Sequence, residues 1–134
     1  MIRYMLDTNT IAYARNRRPA SVLERLLKHD PSEISISSIT MAELEYGICN
    51  SSRPQQNRTA LLGFLSGITV LPFDADASLQ YGDIRHYLKT NGILIGGNDL
   101  LIAAHARSLG LTLVTHNTRE FSRVPNLVLE DWAI

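Results

Sequence analysis

Short apolar runs alternate with longer amphipathic stretches along this chain, and that alternation restricts its fold more than any other feature. The runs are "IRYML" (Ile2–Leu6), "EISISS" (Glu33–Ser38), "ITVLPF" (Ile68–Phe73), "LTLVTHN" (Leu111–Asn117) and "LVLEDW" (Leu127–Trp132). Each is short and rich in Ile, Val and Leu, as strands buried on both faces are. Helical patterns fill the gaps: "TIAYARN" (Thr10–Asn16), "PASVLERLLKHD" (Pro19–Asp30), "ITMAELEYGICNS" (Ile39–Ser51), "PQQNRTALLGFLSG" (Pro54–Gly67), a stretch over 74–90, and "NDLLIAAHARSLG" (Asn98–Gly110). Pro19 suits a first helical position and Gly110 a left-handed C-terminal cap. The two helices around 39–67 are expected to form an antiparallel hairpin, and "NGILIGG" (Asn91–Gly97) reads as a Gly-rich loop. Together these signals predict an α/β domain around a mainly parallel sheet of four to five strands. At 134 residues the chain is long enough to bury a proper core as one domain spanning 1–134.

Such folds place their sites just beyond the carboxyl ends of the strands, near the point where strand order reverses. Asp7 follows the first strand, and Glu43 lies one helical turn beyond the second. Asp99 opens the helix that leads to the fourth strand, and Asn117 and Glu120 follow that strand. Each has a structural reading as well. Thr40-x-x-Glu43 fits a capping box, with Ile39 and Leu44 placed for a hydrophobic staple. Asn98 or Asp99 fits a cap of its helix, and Asp7-Thr8-Asn9 fits a cap of the first.

The combination points further. Carboxylates converging on one sheet edge repel by about 3 kcal/mol per pair at ~5 Å and an effective dielectric near 20. A bound cation removes that conflict. An oxygen-only donor set selects a hard ion, Mg²⁺ with Mn²⁺ as a substitute. Such an ion activates water and neutralises charge in phosphodiester hydrolysis.

Composition narrows the alternatives. Lys plus Arg and Asp plus Glu number 13 each, so no bulk basicity advertises nucleic acid. Hydrophobic residues at 45% and charged residues at 19% are ordinary for a globular chain. Cys49 is the only cysteine, which excludes an intramolecular disulfide and fits the cytoplasm. No run approaches transmembrane length, so no membrane partner is expected. His29, His86, His105 and His116 show no zinc-hydrolase spacing, and His105 reads as a packed or surface histidine. His116 lies beside the predicted site, where it could touch substrate. Basic residues cluster as Arg15, Arg17 and Arg18, with Arg119 near the C-terminus, and offer backbone contacts to a nucleic acid.

The stretches "YMLDTNTIAY", "SSITMAELEYG", "IGGNDLLIAAHA" and "VTHNTREF", with "EDW" closing the chain, resemble the PIN-domain ribonucleases, in particular the VapC toxins of bacterial toxin–antitoxin pairs. The likeness runs in the family's order over essentially the whole length. It implies a three-layer α/β/α domain and a Mg²⁺- or Mn²⁺-dependent endoribonuclease. It implies metal-binding roles for Asp7, Glu43 and Asp99, supporting roles for Thr8 and Asn9, and catalytic-site roles for Asn117 and Glu120. Thr115 is placed to orient Asp7 from the adjacent strand. The resemblance further implies a homodimer, a VapB-type antitoxin that occupies the active-site groove, and transfer RNA, including the initiator, as substrate. Two departures stand out. Gly97 replaces a usual Pro, which would loosen the loop before Asp99, and Asn117 replaces a frequent Asp, which favours one strongly held metal over two.

Three other readings compete. "DTNT" resembles in outline the DxDx[TV] motif of haloacid-dehalogenase phosphatases, with Asp7 as nucleophile. Asp74 after the third strand suggests a receiver-like phosphoacceptor, though the accompanying acids and Lys are missing. A non-catalytic RNA- or protein-binding module is the third.

Overall fold

The computed structural model describes residues 1–134. Five strands and seven α-helices follow in order: β1 Tyr4–Leu6, α1 Thr8–Asn16, α2 Ala20–Leu26, β2 Ile34–Ser37, α3 Ser38–Cys49, α4 Pro54–Phe64, β3 Thr69–Leu71, α5 Ala75–Thr90, α6 Gly97–Leu109, β4 Thr112–Val114, α7 Thr118–Phe121 and β5 Leu129–Glu130. A 3₁₀ turn at Pro31–Glu33 leads into β2. The strands form one sheet in the order β3-β2-β1-β4-β5. Every pairing is parallel.

Alternation along each strand sends side chains to two helical layers. Tyr4, Leu6, Ile34, Ile36 and Val114 join Ile11, Val22, Leu61 and Trp132 in a core beneath α1, α2 and α4. Met5 and Leu113 face the other way and pack with Ile84, Leu88, Ile102 and Phe121 of α5, α6 and α7. The expected three-layer arrangement is therefore present, with a sheet that is parallel throughout. Ile11, Ile36, Leu61, Leu88 and Leu113 are completely buried, each contributing about 1.5–3 kcal/mol relative to an exposed side chain.

Local departures from the expected boundaries have physical causes. Pro19 sits outside α2 at ψ 147°, and the helix starts at Ala20. The "NGILIGG" loop ends one residue early, because Gly97 is the first residue of α6 rather than part of the loop. A Cβ there would meet nothing within 4 Å. The Thr40–Glu43 capping box is not formed. Helix α3 begins at Ser38, capped by Ser37, whose hydroxyl accepts from the Ile39 amide at 3.0 Å. Thr40 is already inside the helix, with its hydroxyl buried and unpartnered. Asp74, the residue that a receiver-like domain would phosphorylate, caps α5 by accepting from the Ala77 amide at 3.0 Å. Gly110 ends α6 at φ 65°, the left-handed cap that its position predicts. No helix is long and apolar enough to cross a membrane.

Candidate active site

The chain runs outward from β1 to β2 and β3, then returns to place β4 on the other side of β1. That reversal makes the β1/β4 edge the switch point, and Asp7 and Thr115 are the first residues beyond it. The ladder continues one residue past the strand, as the Asp7 amide donates to the Val114 carbonyl at 3.1 Å. Asp7 is only 4% exposed, and both its oxygens are held. Oδ1 accepts from the Thr10 amide at 2.8 Å, which makes Asp7 the N-cap of α1 as well. Oδ2 accepts from the Thr115 hydroxyl at 2.6 Å. Thr10 ties the corner shut by donating its hydroxyl to the Val114 carbonyl at 3.0 Å. Burial pushes the Asp7 carboxyl above its ordinary range. The Thr10 and Thr115 hydrogen bonds pull the other way, and the Glu43 charge adds to the upward push.

Glu43 reaches into the site from α3 instead of folding back on its own helix. Its Oε1 accepts from the Thr8 hydroxyl and its Oε2 from the Asn98 side-chain amide, the latter at 3.1 Å. These bonds bind α3 to the starts of α1 and α6. Asp99, in the first turn of α6, is half-buried, and its carboxyl is pushed up to about 6. Burial is the largest cause. Hydrogen-bond contact with the Glu120 carboxyl follows, then the charges of Glu120, Asp7 and Glu43. Glu120 is steadied from behind by the Asn117 amide, which donates to Oε2 at 3.0 Å. An Asp at 117 has no N–H to offer, so the asparagine supports the neighbouring acid.

Asp7, Glu43, Asp99 and Glu120 thus form one electrostatic cluster, and no Lys or Arg forms an ion pair with any of them. No three acidic, histidine or cysteine side chains approach closely enough to enclose an ion directly as they stand. A hard divalent ion that keeps several waters fits this wider, oxygen-only set.

The remaining predicted residues divide. The Thr115 hydroxyl donates to Asp7 and also accepts from the Asn117 amide at 3.0 Å. Asn9 is exposed and makes no side-chain bond within the site. Arg15 lines a cleft shared with Thr8 and Glu43, whereas Arg17 lines a separate apolar pocket with Leu23 and Phe64. Arg18 and Arg119 are exposed at the surface. The His116 ring is half-exposed, its Nδ1 lies 3.0 Å from the Asp131 carboxylate, and Tyr13 packs edge-on against it. Sequence reasoning missed Thr10 and read Asn98 only as a candidate cap of α6, whereas the helix is entered through Gly96 and Asn98 instead holds Glu43. A hydroxyl three residues after Asp7 and an amide beside Asp99 are their only linear signals.

The PIN domain family model matches residues 4–127. Ribonuclease VapC2 of Rickettsia felis is 48% identical over 132 residues, covering 96% of this chain and 97% of that protein. The tRNA(fMet)-specific endonuclease VapC of Shigella flexneri is 45% identical, covering 99% of this chain and 100% of its own length. Among solved structures, DNA-bound VapBC from Salmonella typhimurium superposes with a TM-score of 0.92 at 42% identity, covering 98% of this chain and 99% of that one. VapBC2 from Rickettsia felis, bound to a promoter DNA fragment, gives 0.89 at 44% identity over 98% and 99% of the two chains. The chain belongs to the PIN-domain family, in its VapC ribonuclease branch.

Proposed function

We propose that the whole chain, residues 1–134, acts as the toxin of a toxin–antitoxin pair, a Mg²⁺-dependent endoribonuclease that hydrolyses RNA phosphodiester bonds. The observation that carries this reading is the cluster of Asp7, Glu43, Asp99 and Glu120 at the switch point with no protein cation to balance it. Asp7, Asp99 and Glu43 would hold the ion, directly or through water. When bound, a divalent ion supplies Lewis-acid activation of water and neutralises negative charge at the phosphodiester.

The chain's own groups supply placement and proton handling. Two hydrogen bonds fix the Asp7 carboxylate, so it presents one orientation to the site. Thr8 and Asn98 hold Glu43 across from it. Glu120, held by Asn117 and pressed against Asp99, is the group placed to accept a proton from the attacking water. Arg15 and His116 flank the acids and are positioned for RNA contacts.

The name of the Shigella flexneri relative supports transfer RNA, with initiator tRNA as the first candidate substrate. The solved VapBC complexes support a VapB-type antitoxin as partner. A homodimer and a cytoplasmic location complete the reading.

The phosphatase alternative has no support in the geometry. Its motif needs a second, titratable Asp two residues after the nucleophile, and that position holds the exposed Asn9. Asn9 makes no contact that assists it.

The test is cleavage of total bacterial RNA, and of purified initiator tRNA, by antitoxin-free protein in Mg²⁺ or Mn²⁺ against EDTA, beside Asp7→Asn. Discrete fragments that require both the metal and Asp7 are expected. Equal inertness of the folded wild type and variant, or fragments that persist in EDTA, would remove the reading.

A further inference from the structure

A second feature opens directly off the acids. Between α1 and α3 lies a cleft of about 490 Å³ whose inner end is shared with Thr8 and Glu43. Thr8, Ala12 and Arg15 recur at i, i+4 and i+7, so they form one stripe along α1. Glu43 and Gly47 form the facing stripe on α3. Ala12 and Gly47 both line the cleft and contribute almost no side chain to it, which keeps it open; a Cβ on Gly47 would touch nothing within 4 Å. The volume lies in the range of small-molecule sites, about 300–1,000 Å³.

The wall of this cleft carries a directional polar group. The Ser51 hydroxyl donates its single proton to the Ile48 carbonyl at 2.6 Å. Its oxygen can therefore only accept, and it does so from the Asn57 Nδ2 at 2.8 Å. That fixes which way the Asn57 amide points. Its Oδ1, with no protein donor, is left as an oriented acceptor at the cleft wall. Leu44 and Ile48 supply apolar surface for a flat ring, and Arg15 supplies a cation at the outer end. Seven residues of helix separate Arg15 from Thr8, about 10 Å. Arg15 is thus placed for a phosphate beyond the first nucleotide rather than for the scissile one.

We propose that this cleft is a nucleobase subsite for single-stranded RNA, receiving the base next to the scissile phosphate. Asn57 Oδ1 accepts an N–H from the edge of that base, and Arg15 meets the following phosphate. Sequence-specific RNA recognition uses such splayed-out bases, read along their edges. Adenine, cytosine and guanine project an exocyclic amine toward an acceptor. Uracil flanks its one N–H with two carbonyls and fits worst. The inference rests on the ribonuclease reading and adds to it the origin of base preference.

The experiment uses labelled single-stranded RNA heptamers that differ only in the central nucleotide. Binding is read by anisotropy in Ca²⁺ and cleavage in Mg²⁺, for the wild type, Gly47→Gln and Asn57→Leu. Gly47→Gln puts a side chain into the cleft and improves helix propensity, so folding is not the casualty. It is expected to weaken binding and kcat/KM at least tenfold while the Mn²⁺ midpoint for thermal stabilisation stays at the wild-type value. Asn57→Leu is expected to erase the advantage of amino-bearing bases over uracil. Wild-type binding and turnover in Gly47→Gln, or an undiminished preference in Asn57→Leu, would overturn the subsite alone. A wild type that neither binds nor cuts any of the RNAs would overturn the ribonuclease reading and the subsite together.

Discussion

Asp7 serves the fold with one oxygen and the site with the other. Oδ1 caps α1 through the Thr10 amide, while Oδ2 is aimed by Thr115 across the β1/β4 edge. Asparagine is as good a cap as aspartate, so Asp7→Asn separates the two roles. RNA cleavage is expected to fall by at least ~1,000-fold, about 4 kcal/mol of barrier. The metal-free melting temperature is expected to hold or rise, because a buried charge that Glu43 repels is gone. A large drop in thermal stability would show instead that the carboxylate charge holds the fold. Thr115→Val tests the aim of Asp7 alone. It removes a hydrogen bond to a charged group, typically about 1.5–3 kcal/mol, and leaves the Asn117 amide without its acceptor. Turnover should drop roughly tenfold or more, with Mg²⁺ still required. Unchanged kcat would mean that Asp7 needs no help from β4.

Helix α3 and helix α6 each carry a buried polar group that touches the element, not the chemistry. The Thr40 hydroxyl is fully buried without a partner, a situation that typically costs about 1–3 kcal/mol. Thr40→Val is expected to raise the melting temperature by several degrees and to leave cleavage intact; a lower melting temperature would show that the hydroxyl is satisfied in solution. His105, buried in α6, ties that helix to β2 through Ser37, with Nδ1 2.8 Å from the serine oxygen. Phe73 packs edge-on against the ring. Burial holds the imidazole below its ordinary range, and Asp74 and the Pro72 carbonyl offset this only in part. The folded state therefore binds a proton less readily than the unfolded chain. Stability from this group is present above the unfolded value near 6.5 and is lost as pH falls toward the lowered one. The wild type should lose more stability than His105→Gln between about pH 7 and pH 5 in denaturant melts, compared in EDTA. Parallel curves for the two proteins would contradict a buried neutral histidine.

For the whole molecule, charge is balanced in number and segregated in space. Acidic and basic residues number 13 each, yet the switch point gathers four acids and no cation. That local imbalance stores repulsion which a divalent ion relieves on binding. Any ion that binds only the folded state stabilises by mass action, about 2.7 kcal/mol at 100 times its Kd. Mg²⁺ or Mn²⁺ at neutral pH is expected to raise the melting temperature by several degrees, and EDTA to reverse it. Asp99→Asn should show a higher metal-free melting temperature and a blunted response to the ion. An equal response in Asp99→Asn would place the ion elsewhere.

Strand and helix identity were legible in the linear pattern, because period and turn chemistry are local: the five apolar runs, the Gly110 cap and the alternation that demands a parallel sheet. Asp7, Asp99, Glu120 and Thr115 were legible too, since a polar residue just past a buried strand, or at the start of the next helix, has few places to go. Glu43 carried two meanings in the sequence, and only tertiary structure chose between them. The start of α3 at Ser38 removed the cap, and Thr8 and Asn98, distant in sequence, drew the carboxylate across to β1. The pairing of Asn117 with Glu120, the contact of Glu120 with Asp99, and the open space over Gly47 likewise depend on how separate elements are set against one another. Local sequence dictates what each segment becomes. Which carboxylates meet, which amide is locked and where a cleft stays open are decided by packing between segments, and linear order does not encode that distance.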